Sequence, residues 1–171
     1  MKYLILIKIK ILCLFFCFFL YISYTRSKEK DEIDINELYN KIINIAKGME
    51  YNTEYKCSNT LINHKKTLYP YIEGIIKNIQ NQEELEKIMN AETFTLLTIP
   101  AFEEYCNINL IIQTVPNLVK AGGIKKLGLN MIDNATELEN LYKEFIAASD
   151  TERKLIVIGK IIQKITGITF Y

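Results

Sequence analysis

The sequence predicts an all-α fold, a single-domain irregular bundle of about six or seven helices over residues 33–171, with one disulfide. After position 33 apolar residues recur at spacings of three and four, as on helices with one buried stripe. No segment sustains the period-two alternation of a half-buried strand. Three prolines, a Gly-Gly pair and several cap signatures cut the chain at intervals suited to short helices.

The first helix opens at Asp34-Ile35-Asn36-Glu37, where Asp34 supplies an N-cap and Glu37 the returning carboxylate of a capping box. Ile35, Leu38, Ile42, Ile45 and Met49 then share one stripe, and Gly48 with Asn52 marks the expected end. Thr53 to Leu68 is more polar and reads as a short or irregular helix carrying Cys57. Pro70 fits the first turn of the next helix, whose narrow apolar face is Ile72, Ile75, Ile76 and Ile79. Asn81 to Glu84 is a second cap-plus-glutamate signature, leading into Leu85, Ile88 and Met89. Phe94 to Ile99 is β-prone, but six residues without alternation, flanked by helices, read as buried helix. Pro100 restarts a helix through Phe102, Tyr105, Cys106, Asn109 and Ile112, which Pro116 interrupts after Val115. Gly122-Gly123 is the expected break before Leu127 and Met131. Leu138, Leu141, Tyr142 and Phe145 belong to the helix after Asn134. Asp150 or Thr151 caps the last helix and Gly167 ends it.

Ahead of this domain, Lys2, Lys8 and Lys10 precede an uncharged run from Ile11 to Thr25, closed by Arg26. Basic flank, apolar run and the small residues Ser23 and Thr25 predict a secretory signal peptide over residues 1–25, followed by a charged leader over 26–32. The run is shorter than the roughly 20 residues of a spanning helix. The expected destination is extracellular; the alternative is a protein anchored by an uncleaved signal. Cleavage would remove three basic residues and leave 18 against 20 acidic ones, a net charge of −2. That balance provides no field to recruit nucleic acid. Cys13 and Cys17 would depart with the signal, so Cys57 and Cys106 form the only possible pair in an oxidising compartment. A bridge closing about 50 residues stabilises by roughly 4 kcal/mol. Two thiols and the distant His64 are too few for a closed zinc site, and no other metal or cofactor is expected.

Catalytic chemistry is poorly represented. His64 is the single histidine and sits in the polar run Asn63-His64-Lys65-Lys66, the setting of a solvated side chain. Gly122-Gly123 with Lys125 and Lys126 follows no apolar strand and fits no phosphate-loop spacing. Glu83-Glu84 and Glu103-Glu104 point about 100° apart on a helix and cannot oppose each other as acid and base. No enzyme is expected. Asn134-Ala135-Thr136 is the one permitted N-glycosylation sequon, at an expected helix start.

The last helix has the most suggestive face. Ile158, Ile161, Ile162 and Ile165 cover one broad side, while Lys160 and Lys164 lie on the other. Such a helix either closes the bundle, its lysines in water, or lies on an anionic membrane or lipid. The structural role is favoured, because the domain needs apolar faces for its core.

Cys57 followed by Leu68 and Pro70, Ile99-Pro100 ahead of Cys106, and the ending Ile158-Gly159-Lys160-Ile161-Ile162 with Ile165-Thr166-Gly167 form a loose pattern. In it the chain resembles small secreted all-helical proteins of ciliates over about residues 57–168. The resemblance implies a secreted helical fold and no particular activity. The expected function is non-enzymatic: binding or assembly through an unknown protein partner, or carriage of an apolar ligand or lipid in a cavity lined by Ile, Leu, Phe and Met.

Overall fold

Asp34 accepts hydrogen bonds from the backbone N–H groups of Asn36 at 2.8 Å and Glu37 at 3.3 Å, and the chain turns helical at once. The structure, a computed structural model, describes residues 34–171 apart from Ile79 and Val119. The expected signal peptide and charged leader lie outside the described residues. Nine helices follow in order: α1 Ile35–Met49, α2 Lys56–Asn63, α3 Lys65–Lys77, α4 Gln82–Thr98, α5 Pro100–Cys106, α6 Ile108–Leu118, α7 Ala121–Asp133, α8 Ala135–Ala147 and α9 Thr151–Thr166. No strand accompanies them among the described residues; a single parallel bridge joins Glu50 to Phe170.

The first and last helices pack most tightly. A Cβ placed on Gly48 of α1 would lie 1.9 Å from the carbonyl oxygen of Ile156, and one on Gly159 of α9 would lie 2.0 Å from that of Ile45. Two glycines therefore let the backbones touch where any side chain would hold them apart. Beyond the crossing the tail turns at Gly167 (φ 72°), and Tyr51 N–H donates to Phe170 O at 2.9 Å while Phe170 N–H donates to Met49 O at 3.0 Å. That exchange buries Ile168 and Phe170 against α1. On the other side of α1 lie α2 to α6, whose buried Leu68, Ile72, Ile75, Met89, Phe102 and Val115 complete the core. The bridge Cys57–Cys106 joins α2 to α5, with Cα atoms 4.8 Å apart across 49 positions. α7 and α8 lie at the margin of this core: α7 packs half-buried Leu127 against it, α8 buries no residue, and Ile124, Ile132, Tyr142 and Ile146 are exposed.

Helix number is the main correction: nine among the described residues, not six or seven. Pro100 opens α5 and Gly167 ends α9 as expected, but Pro70, Pro116 and the Gly122-Gly123 pair lie within helices, and other breaks fall at backbone turns. Asn107 adopts a left-handed conformation (φ 53°) and divides the expected long helix into α5 and α6, which then continues through Pro116. Pro70 likewise lies inside α3, not in its first turn. Gly122 and Gly123 sit within the first turn of α7; a Cβ on Gly123 would meet Asn117 O at 1.9 Å, so this glycine serves close packing against α6. Gly48 does the same inside α1, which ends at Met49. Glu37 does not return to cap Asp34 but pairs with Lys41 at 2.6 Å. Phe94 is 70% exposed although helical as expected, because α4 has only one covered face.

Candidate functional site

Between α1 and the layer of α2 to α6 the core leaves a cavity of about 170 Å³. Ala46 and Met49 line it from α1, Leu68 and Ile72 from α3, Phe102 from α5 and Phe170 from the tail; both cysteines of the disulfide form part of its wall. Half-buried Ile42, Leu61 and Ile111 complete a lining of almost entirely hydrocarbon character. An apolar cavity of about 150 Å³ stays dry and takes up benzene or xenon, so this space suits a guest of that size.

One carboxyl interrupts the lining. Glu92, in the middle of α4, is 7% exposed and has no hydrogen-bond or ion-pair partner among the described residues. Burial pushes it up to about 7, because a charge in this surrounding loses its hydration without compensation. Tyr39 borders the same space; its hydroxyl donates to Leu61 O at 2.6 Å. Burial first, then the nearby Glu92 charge, raises the phenol well above its ordinary range. One turn along α4, Thr95 Oγ1 bonds Tyr71 Oη of α3 at 2.8 Å, so the next polar group is satisfied where Glu92 is not.

A second, larger hollow of about 510 Å³ opens at the surface between the end of α1, α8 and α9. Its lysines are already engaged: Lys47 with Glu152 at 2.9 Å, Lys160 with Glu144 at 3.4 Å and Lys164 with Glu137 at 2.5 Å. Glu50, at its edge, has a structural task. Its Oε1 accepts from the Ser58 backbone N–H at 2.9 Å and from the Ser58 hydroxyl, which caps the start of α2 from a distance in sequence. Burial raises this carboxyl, and the Ser58 bonds oppose that rise.

The residues singled out in the sequence are distributed over the molecule. Cys57 and Cys106 meet, as expected, and in the cavity wall. Ile158, Ile161, Ile162 and Ile165 are half-buried, neither a fully covered face nor an open one; α9 instead buries Val157, Gly159 and Thr166. Lys160 and Lys164 are partly exposed and ion-paired with α8. Asn134 is half-buried at the α7–α8 junction, and its Nδ2 donates to Asn130 O at 2.8 Å. His64 is half-buried between α2 and α3, its ring 5.4 Å from that of Phe102. Among the described residues no three of His, Cys, Asp and Glu cluster as metal ligands, and no helix is long and apolar enough to cross a membrane.

Glu92 escaped the sequence reading. Its signal lay in register: Leu85, Met89, Glu92 and Leu96 follow at spacings of four, three and four, so a carboxyl occupies a stripe position. Compared with protein-family models, curated proteins and solved structures, the chain matches none of them.

Proposed function

We propose that the chain is an exported binding protein whose core cavity holds a small, largely apolar molecule. The observation that carries this reading is the 170 Å³ cavity between α1 and the α2–α6 layer. Pockets for drug-sized ligands span roughly 300–1,000 Å³, so the guest is smaller, with about six to nine non-hydrogen atoms, and a whole lipid chain does not fit. The signal-like leader and the Cys57–Cys106 bridge support an extracellular setting.

Toluene or indole in excess over Kd should raise the melting temperature, since a ligand bound only by the folded state stabilises it by mass action. Filling the space with Ala46→Leu should abolish the shift while the protein still melts cooperatively. If no hydrocarbon of this size raises the melt, the carrier reading fails.

Assembly is the second reading, favoured by exposed Ile124, Ile132, Tyr142 and Ile146 on α7 and α8. Sedimentation across a concentration series tests it: self-association lost in Ile132→Lys supports assembly of copies through this face, and a monomer throughout removes it.

A further inference from the structure

We infer that Glu92 makes the cavity selective for small hydrophobic amines, with the hydrocarbon body among the core side chains and the amino group on the carboxylate. The inference rests on the cavity being a ligand site and adds the chemistry of the ligand's head. Glu92 has no other task in the fold. It sits in mid-helix, so it caps nothing, and no described residue pairs with it or donates to it. A carboxyl at a stripe position, beside Met89 and Leu96, burdens folding unless something binds it.

The missing partner is defined by what the site lacks. An ionised carboxylate only accepts hydrogen bonds, so the head must donate. The space of about 170 Å³ limits the body, and the hydrocarbon lining requires it to be apolar. A cationic head is favoured over a hydroxyl, because a charge-assisted bond is the stronger and leaves no net charge buried. A ligand carboxylate would set like charges together.

Titratable neighbours do not fill the role. On α1, Tyr39 commits its hydroxyl proton to Leu61 O. From α3, Lys65 stands 5.4 Å over the Tyr39 ring and Tyr71 bonds Thr95. His64 rests on Phe102. On α5, Glu103 and Glu104 are exposed, and α6 carries no titratable side chain.

Calorimetric titration of the full-length protein with toluene, benzyl alcohol and benzylamine tests this, since the three share a ring and differ in the head. At about pH 8 benzylamine should bind roughly tenfold to a hundredfold more tightly than toluene, the range of a charge-assisted hydrogen bond. Glu92→Gln should still bind toluene and lose the preference. In the unmodified protein the preference should grow as pH rises through about 7, which tests the idea without any variant. Toluene binding as tightly as the amine, or a preference that survives Glu92→Gln, overturns the inference and leaves the cavity a ligand site. Binding of none of the three overturns both.

Discussion

Replacing Glu92 with Gln should change how stability depends on pH between about 4.5 and 7. The buried carboxyl titrates at about 7 against an ordinary value of 4.5. Each unit of difference corresponds to about 1.4 kcal/mol, so the shift amounts to about 3 kcal/mol. The sign follows from which state holds the proton. Between 4.5 and about 7 the unfolded chain has lost it and the folded chain keeps it, so unfolding releases a proton and stability falls as pH rises. Below that window the contribution is fully present, and above it the whole 3 kcal/mol is gone. Gln has the same shape and never ionises. Urea unfolding at intervals from about pH 4.5 to 8.5 should give similar stabilities for both proteins at the acid end. At the alkaline end the variant should be more stable by about 3 kcal/mol. Glu50 is raised too and contributes slope of the same sign, but it is present in both proteins and cancels in the difference. A difference that stays constant with pH would refute the buried, unpartnered carboxyl.

Four further outcomes follow from the packing, the cross-link and the surface ion pairs. Gly48→Ala or Gly159→Ala should cost about 3 kcal/mol or more, read from denaturant midpoints, because each added methyl meets a carbonyl oxygen of the opposing helix that cannot swing away. Removing the bridge by the pair Cys57→Ala and Cys106→Ala should lower stability by about 4 kcal/mol, and dithiothreitol should reproduce that loss in the unmodified protein. Val157→Ala, at the fully buried centre of α9, should cost about 2 kcal/mol in a thermal melt. Charge reversal at Lys160 and Lys164 should change stability by less than about 1 kcal/mol per ion pair and leave co-sedimentation with anionic vesicles at background.

The fold class was legible because helical periodicity and caps are local. Asp34, Asn81 and Asp150 each accept a backbone N–H of the first turn of the helix that their sequence context predicted. Gly167 ends α9 in the left-handed conformation that favours glycine. The breaks between α2 and α3 and between α5 and α6 were not legible, because neither His64 nor Asn107 is a proline or glycine, although Asn107 takes the left-handed conformation that asparagine tolerates. Gly48 and Gly123 look like punctuation in one dimension; only a neighbouring backbone in three dimensions reveals them as contact points. The disulfide followed from cysteine arithmetic. The cavity did not, since an empty space is a property of how side chains from six helices and the tail fail to meet. Glu92 was readable only as a misfit in a stripe, and without the opposing helices a misfit looks like an ordinary solvated glutamate.

The contact between Gly48 and Gly159 spans about 110 positions of chain, so the tightest seam among the described helices joins segments far apart along the sequence. Nearby pairs such as α3 with α4 can form while α1 still waits for α9. The Cys57–Cys106 link lies inside that long loop and short-circuits it, leaving about 60 positions to be closed. By loop-closure entropy this shortening is worth about 0.5 kcal/mol, or roughly a twofold gain in the chance of encounter. Oxidation thus acts on the order of assembly as well as on final stability. A chain that acquires its cross-link early brings its first and last helices together sooner, and spends less time with the apolar side of α1 open to other chains.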